Sequence, residues 1–362
     1  MTSVEVHGPT CTLLLPGVAA VSRGIAATQA TVRVFGNIDL NLTDSKVPGA
    51  SNLAMDQGSY LLPSRFGFRS DGQLGSGFAA SSWLEAAVVP DTDATASAFT
   101  RRSTIGLSSE ELGKIRLGRD CTPTFWNVSS FSPFGTVGAG GGSNTIEGWP
   151  LGLGRATTQQ RASNAAGYFL PPDLGGVYGQ FMAAAGEGID GARCTGGRLG
   201  YEAGSLNVAA AFGRTPAASI EAVGQPSRRA YETANLGGTY DFGIRTGIGI
   251  GKVYVFRNQQ VLGPEQQTST LVGVAVPAWD CSIKAMFARS VLSMRSVSKA
   301  DRIARQRAFG YVHALSQGTV HCGTWSRIVN EGDAAYATGD TSPEGRPNGT
   351  SSALQIGINH AF

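Results

Sequence analysis

Several cationic side chains of this 362-residue chain are spaced so that they could gather on one face of a strand. Lys114 and Arg116 alternate with aliphatic residues, and Arg65 alternates with the phenylalanines of SRFGF. Successive residues of a strand point to opposite faces, so these cations would share a polar face. A guanidinium is always charged, and its planar fork of donors fits carboxylate, phosphate and sulfate. The spacing therefore indicates attraction of anions.

The residue types that catalysis or metal binding requires are not arranged for either. His313, His321 and His360 lie in the last segments without the matched Ser and Asp that a hydrolase would need. The five cysteines are scattered without CxxC spacing. We therefore expect no enzymatic activity, no cofactor and no metal. A net charge of +3, without a dense Lys/Arg cluster, also argues against nucleic acid as a partner.

A neutral stretch at 122–146 combines aromatic side chains with a run of glycines. It reads TPTFWNVSSFSPFGTVGAGGGSNTI and contains no charged residue. An exposed loop of this length normally carries charge, and a simple spacer would lack Trp126, Phe131 and Phe134. The composition therefore predicts a loop that is held against another part of the protein.

The elements that position these residues are predicted to be β-strands. Glycine (50 residues) is at roughly double its average usage, and short Val, Ile, Phe, Tyr and Thr runs alternate with glycine-containing turns. No segment approaches the ~20 apolar residues of a membrane helix. From residue 31 onward we identify sixteen candidate strands, which indicates an all-β fold.

Short turns alternate with long connections between these strands. SSEELG (108–113), DFG (241–243) and PAWD (277–280) are predicted to be short, whereas 258–267 and 331–350 are predicted to be long. A barrel in an outer membrane has an even number of strands, short turns at one end and long loops at the other. The pattern therefore favours a transmembrane 16-stranded antiparallel β-barrel.

Alternation along the strands assigns residues to two faces. Trp83 and Glu85 share a polar face, whereas Tyr254 and Phe256 share an apolar one. In a membrane barrel the polar face lines the lumen and the apolar face meets lipid. Arg307 shares its face with Phe309, so we expect this cation near a rim of the barrel, where its cost is smallest.

The chain resembles the general trimeric porins of Gram-negative outer membranes, in particular the beta-proteobacterial anion-selective type. The blocks that carry the resemblance are TVRVFGNIDLNL, PSRFGFRSDGQLGSGFAASSWLE, RRSTIGLSSEELGKIRLGRDCTPT, FGYVHALSQGT and the terminal QIGINHAF. The resemblance implies one outer-membrane barrel domain at 31–362. It also implies a water-filled channel for passive diffusion of small hydrophilic solutes.

In that family the loop after the LGRD strand, here about 120–150, folds into the barrel and forms a constriction. The loop residues so implied are Trp126, Phe131, Pro133, Phe134 and Gly135. The arginines that match the family's basic cluster are Arg65, Arg101 and Arg161, with Lys114 and Arg116 beside them and Glu85 orienting one arginine. Plain alternation would send Arg102 inward, but we follow the family match for Arg101. Because the loop has no acid, the resemblance implies a preference for anions.

The two ends of the chain are predicted to carry export and assembly signals. An apolar core, CTLLLPGVAAV, and the small-residue segment GIAATQA predict a secretory leader at 1–30, cleaved near 26–30. By resemblance, Phe362 is the terminal aromatic that the barrel-assembly machinery reads. The other implied partners are further copies in a homotrimer, outer-membrane lipid and lipopolysaccharide, and small anionic solutes.

Two alternatives remain open at this point. A substrate-specific outer-membrane channel would need an aromatic track along the lumen. A secreted β-sandwich adhesin would bury its apolar faces inside the protein, and alternation alone does not distinguish it from a barrel.

Overall fold

The computed structural model describes residues 31–92, 99–148, 152–153, 156–220, 227–245, 249–294 and 300–362. The expected leader at 1–30 lies outside the described residues. The strands are β1 (Thr31–Val47), β2 (Ala50–Asp56), β3 (Arg65–Gly75), β4 (Phe78–Ala87), β5 (Arg102–Ser109), β6 (Gly113–Cys121), β7 (Arg161–Phe169), β8 (Val177–Ala184), β9 (Cys194–Ala203), β10 (Leu206–Ile220), β11 (Ser227–Asp241), β12 (Lys252–Leu262), β13 (Glu265–Ala278), β14 (Cys281–Met294), β15 (Arg302–Ala314), β16 (Thr319–Glu331) and β17 (Thr350–Ala361). The helical pieces are α1 (Pro123–Ser130) and a π-helical turn (Asn144–Gly148).

All of these strands form one antiparallel sheet that closes on itself. Asn37 of β1 lies opposite Ala361 of β17, and Lys46 lies opposite Ser352, so no open sheet edge remains at the seam. Closure is required in lipid, since every backbone polar group needs a partner within the protein. Among the described residues, no helix is long or apolar enough to cross a membrane.

β2 and β3 share one position in the barrel. The second half of β1 pairs with β2 and its first half pairs with β3. Residues 57–64 leave the wall between them. Seventeen strand segments therefore fill sixteen positions, and the prediction of a closed 16-stranded antiparallel barrel is confirmed.

One hydroxyl bridges the place where β1 lacks a strand neighbour on this side. The Asp39 N–H donates to Ser64 Oγ at 2.8 Å, and the same hydroxyl donates to the Asp39 carbonyl at 2.9 Å. The Asp39 carboxylate accepts hydrogen bonds from the N–H groups of Gly58, Ser59 and Tyr60. This carboxylate holds segment 57–64 inside the barrel.

The polar and apolar faces are inverted relative to a soluble β-protein. Along β1, Asp39, Asn41 and Thr43 are buried inside, whereas Leu42 is 53% exposed outside. β17 follows the same alternation, with Gln355 buried and the aliphatic residues on either side exposed. The apolar outer surface of the closed barrel is the face that lipid covers.

The end of the barrel that holds the C-terminus carries mostly short turns, including 76–77, 204–205 and 279–280. The opposite end, called the loop end below, carries the long connections 122–160 and 332–349. Two connections differ from the sequence prediction. The expected long loop at 258–267 is a tight turn at 263–264, and the expected short turn at 241–243 belongs to a connection spanning 242–251.

The first of these errors has a physical cause, which is the polar lumen. Asn258, Gln260 and Gln267 are fully buried on the inner face of β12 and β13, although such residues in sequence look like a loop. Phe256 is also on the opposite face from the prediction, because it is buried inside the barrel at 3% exposure. An apolar residue on the lumen side requires something apolar inside to cover it.

Candidate functional site

That cover is the connection between β6 and β7, which folds into the lumen. Thr122 is extended, and Pro123 occupies the first turn of α1, where its missing N–H costs nothing. The side chain of Asn127 donates to the Ala209 carbonyl at 3.1 Å and to Asn235 Oδ1 at 2.9 Å. Because these acceptors lie on β10 and β11, the loop crosses the barrel and attaches to the far wall.

The loop's rings pack where the far wall has glycine. A Cβ placed on Gly237 would lie 2.2 Å from Phe131 Cδ2, and one on Gly310 would lie 2.4 Å from Phe134 Cε1. Both rings are buried in a cluster with wall residues that include Phe256. Glycine inside a strand is a signal of close approach, so this signal could have located the contact from sequence.

The remaining residues predicted for the loop take two different places. Pro133 lies against Gly273 of β13, and Gly135 adopts φ +65° with its Cα against the Leu61 carbonyl of segment 57–64. Trp126 is only partly buried, and it shares the open side of α1 with Ser129 and Ser130. Trp126 therefore belongs to the surface that the loop presents to the free part of the lumen.

Polar contacts fix the second half of the loop. Gln267 of β13 donates through Nε2 to the Ile146 carbonyl at 2.9 Å, and Ala139 N–H donates to Gln355 Oε1 at 3.3 Å. Thr145 Oγ1 donates to Gln306 Oε1 at 3.1 Å. The amides that line the inner face of the barrel thus satisfy the backbone of the loop.

The wall facing the loop gathers the three predicted arginines at one level. Arg65 and Arg161 are the first residues of β3 and β7, and Arg101 immediately precedes β5. These strands all run away from the loop end, so the three positions lie at the same height. The structure therefore brings Arg65, Arg101 and Arg161 together beside the start of the loop.

Glu85 of β4 binds two of these arginines. Its Oε1 lies 3.0 Å from Arg65 Nη1 and 2.8 Å from Arg101 Nε, and Trp83 Nε1 donates to its Oε2 at 3.1 Å. We expected Glu85 to orient one arginine. Since it binds two, Arg65 and Arg101 share one negative charge and the pair keeps a net positive charge.

Arg101 and Arg102 both face the lumen. Arg102 follows strand alternation, because it pairs in register with Glu85 and lies 4.3 Å above the ring of Trp83. Arg101 is outside β5, so alternation does not apply to it, and its N–H donates to the Glu85 carbonyl instead. Both arginines therefore add positive charge to the lumen, and no choice between Arg101 and Arg102 was needed.

Arg161 lines a cavity of about 400 Å³ between the wall and the loop, together with Arg119, Glu147 and Asp340. In the described part of the chain Arg161 has no ion pair, and its one side-chain hydrogen bond goes to Gln160 Oε1 at 3.4 Å. Gln160 also donates to Glu147 Oε2 at 3.2 Å. Burial raises the pKa of the Glu147 carboxyl to about 7, and this group therefore changes charge near neutrality.

Lys114 and Arg116 continue the positive wall toward the short-turn end. They line a second cavity of about 300 Å³ with Arg69 and Arg102. Arg116 is paired with Asp120 and lies 4.1 Å above the ring of Phe169. Asp120, near the end of β6, also faces Arg102 at 3.5 Å.

A further lumen cation lies on β9 and was missed in the sequence. Arg198 bonds the side chain of Asn127 on α1 and lies 4.8 Å above the ring of Tyr178. Its partners are 71 and 20 residues away, so no local pattern reveals the contact. The loop side of the lumen therefore also carries positive charge.

The chain matches a protein-family model described as Gram-negative porin over residues 14–333. It is 29% identical over 361 residues to outer membrane porin protein 32 of Delftia acidovorans, covering 94% of this chain and 96% of the relative. It is 30% identical over 267 residues to an outer membrane porin protein of Bordetella pertussis, covering 64% of this chain and 66% of that relative.

Solved structures give the same result for the fold. An anion-selective porin from Comamonas acidovorans superposes with a TM-score of 0.76 at 26% identity, covering 92% of this chain and all of that one. OmpT of Vibrio cholerae, in a trimer form, superposes with a TM-score of 0.65 at 15% identity, covering 92% and 99%. From its sequence and its closed barrel, the chain belongs to the Gram-negative porin family and forms an outer-membrane channel.

Proposed function

We propose that this chain is a general porin that lets small hydrophilic solutes diffuse passively across the outer membrane and that prefers anions. The observation that carries the proposal is the excess of cations on the wall of β3 to β7. The cations of this wall are Arg65, Arg69, Arg101, Arg102, Lys114, Arg116 and Arg161, and its carboxylates are Asp71, Glu85 and Asp120.

Charge at a narrow place decides which ions enter. Inside low-dielectric walls, fixed charges act over a Debye length of ~8 Å at physiological salt. Rings of Arg or Lys favour anions, and the loop that faces this wall has no acid between residues 122 and 146. The anion-selective porin from Comamonas acidovorans, with its similar fold, supports the same conclusion.

The test is the zero-current potential of the purified protein in a planar bilayer under a KCl gradient. The double variant Arg65→Ser, Arg161→Ser should shift this potential toward cations, and the shift should shrink as salt rises because screening weakens the wall. Arg214→Ser is the matched control, since Arg214 lies on the outer face beside Glu232 at 3.3 Å. A wild-type preference for cations would contradict the proposal.

We also infer the partners that such a channel requires. The chain would assemble as a homotrimer, would insert through the barrel-assembly machinery that reads Phe362, and would lie among outer-membrane lipid and lipopolysaccharide. The apolar band around the barrel supports the lipid contact. Solutes cross by diffusion, so we infer no catalysed reaction and no cofactor.

A further inference from the structure

The cavity of about 400 Å³ between the wall and the inward loop holds charges of both signs. The guanidiniums of Arg119 and Arg161 and the carboxyls of Glu147 and Asp340 line it, and we call it the mixed-charge cavity. Among the residues that the structure describes, these four groups form no ion pair with one another. Opposite charges therefore face one space without being neutralised in pairs.

The side chain of Gln160 lies between two of these opposite charges. Its Nε2 donates to Glu147 Oε2 at 3.2 Å, and Arg161 Nη1 donates to its Oε1 at 3.4 Å. The oxygen and nitrogen of an amide are bonded to the same carbon, so the acid and the guanidinium are held one amide group apart. The charge of Arg161 still lowers the pKa of the Glu147 carboxyl, which shows that the two groups are within electrostatic reach.

Arg161 has hydrogen-bonding capacity that the protein does not use. Its Nε is buried and has no hydrogen-bond partner in the described part of the chain. The bond from its Nη1 to Gln160 is long at 3.4 Å. A buried donor without an acceptor is costly. We therefore expect a molecule in the lumen to supply an acceptor to this guanidinium.

The last long connection of the barrel brings Asp340 to the same cavity. Thr338 N–H donates to Ser351 Oγ at 3.1 Å, and the Thr341 carbonyl accepts a hydrogen bond from Asn52 Nδ2 at 2.8 Å. Ser351 and Asn52 belong to strands of the wall, so the backbone on both sides of Asp340 is fixed. Asp340 itself is exposed. Its carboxylate is held in place and is accessible to a solute.

We propose that the mixed-charge cavity binds small zwitterions, and that α-amino acids are the chemical class that fits it. The carboxylate of such a molecule accepts hydrogen bonds from the guanidinium of Arg161, and its ammonium donates to Glu147 and Asp340. One carbon separates the two charged groups of an α-amino acid, as one carbon separates the amide oxygen and nitrogen of Gln160. The inference rests on the proposed function, since the solute has to enter the lumen by diffusion.

A simple anion or a simple cation suits this cavity less well. An anion at Arg161 would lie near the carboxylates of Glu147 and Asp340, and a cation at these carboxylates would lie near Arg161 and Arg119. Like charges repel strongly in a partly buried site. A molecule that carries both signs avoids both repulsions.

The rest of the lining favours an amino acid with a small polar side chain. Ser143, Asn144, Thr157 and Gln159 contribute hydroxyl and amide groups, and in the described lining only Ala156 is apolar. L-Serine matches this lining in size and polarity. It is therefore the probe for the experiment.

The experiment measures binding of L-serine to the purified protein in deuterated detergent by saturation-transfer-difference NMR. It is carried out at pH 8, where Glu147, with a pKa of about 7, is mostly ionised. Wild-type protein should bind L-serine. It should bind 3-hydroxypropanoate, which lacks the ammonium, and ethanolamine, which lacks the carboxylate, about tenfold more weakly. The absence of L-serine binding, or equal binding of either truncated probe, would overturn the proposal.

A second arm uses the variants Glu147→Gln and Asp340→Asn, which keep the size of each side chain and remove its charge. Each should lose about tenfold in affinity for L-serine. Glu344→Gln is the matched control, since Glu344 is an exposed acid of the same connection and does not line the cavity. If both cavity variants bind L-serine as the control does, the proposal is wrong. The arm with wild-type protein does not depend on the folding of a variant.

The zero-current potential separates this inference from the proposed function. The NMR measurement reads binding without any flow of ions. A channel that prefers anions but does not bind L-serine would leave the proposed function intact and overturn the assignment of the mixed-charge cavity. A channel that binds L-serine but prefers cations would overturn the anion preference and support the cavity assignment.

Discussion

Glu85 limits the positive charge that the narrow part of the lumen presents. The carboxylate holds Arg65 and Arg101 in place, since both guanidiniums lie within 3.0 Å of one oxygen. It also cancels part of the charge that would attract anions. Glu85 therefore determines both where Arg65 and Arg101 lie and how much net positive charge they present to the lumen.

We predict that Glu85→Gln makes the channel more anion-selective and the barrel less stable. The amide keeps the shape but removes the charge that both arginines face, at a cost of about 1–3 kcal/mol in a hydrated lumen. Zero-current potential and the temperature at which the folded band disappears in detergent gels measure the two effects. Glu232→Gln, on the outer face, is the control, and an unchanged potential for Glu85→Gln would remove this residue from the path of the ions.

Glu147 gives the lumen a dependence on pH. Because burial raises the pKa of its carboxyl to about 7, the group is neutral below that pH and negative above it. Asp340 raises this pKa further, while the hydrogen bond from Gln160 and the charge of Arg161 lower it. Raising the pH through neutrality therefore adds a negative charge to the cavity that Arg161 lines.

We predict that anion preference falls between about pH 6 and about pH 8, and that Glu147→Gln removes this change. The zero-current potential across that pH range is the measurement. Glu344→Gln, in the exposed part of the last long connection, should retain the step. If the Glu147→Gln channel still shows it, the titrating group is not Glu147.

At the scale of elements, the inward loop and the far wall form one packed unit. Phe131 and Phe134 fill space that exists because Gly237 and Gly310 lack a Cβ. The amides of β13, β15 and β17 then bond the backbone of the loop. The position of the loop is thus determined as much by the wall as by the loop sequence.

We predict that Gly237→Ala lowers the single-channel conductance. Its new methyl group would lie 2.2 Å from the ring of Phe131, far inside normal contact, so the loop must move away from its wall and into the lumen. Such overpacking costs about 1–3 kcal/mol. Gly323→Ala on β16, where a Cβ would meet nothing within 4 Å, is the control. Equal conductance in the two variants would show that this contact does not position the loop.

Strand number, closure and the inward direction of Glu85 could be predicted from sequence because they follow from alternation and connection lengths. The inward direction of Phe256 could not be predicted, because an apolar side chain is stable on the lumen side only where an apolar loop covers it. The turn at 263–264 was hidden by buried glutamines on both sides. The division of the second strand at 57–64 depends on Asp39, which is 18 residues earlier, and no local pattern marks that contact.

At the scale of the molecule, the barrel closes through its two ends. Gly36 N–H donates to the Phe362 carbonyl at 3.1 Å, and Phe362 N–H donates to the Gly36 carbonyl at 3.0 Å. The ring of Phe362 covers the space next to Gly36 and remains 53% exposed. The terminal residue is therefore part of the seam and is still accessible to a partner.

We predict that Phe362→Ser lowers the yield of folded protein in the outer membrane severalfold. The backbone pair can persist, so the loss would reflect the missing ring and its recognition during insertion. Heat-modifiable migration of outer-membrane fractions measures the yield. Phe242→Ser removes another exposed aromatic outside the strands at the same end of the barrel and should have little effect. A normal yield for Phe362→Ser would remove the assembly role.

Both hydrogen bonds between Ser64 and the backbone of Asp39 depend on one hydroxyl oxygen. Where β1 lacks a strand neighbour, a single hydroxyl both receives the Asp39 N–H and supplies a donor to its carbonyl. Along β1 on either side of this gap the pairing is made by backbone groups, which a point mutation leaves in place, but here a mutation to alanine removes the hydrogen bonds. In the Ser64→Ala variant, the amide of Asp39 should exchange its hydrogen faster than in wild type. Local opening of the barrel wall would then begin beside segment 57–64.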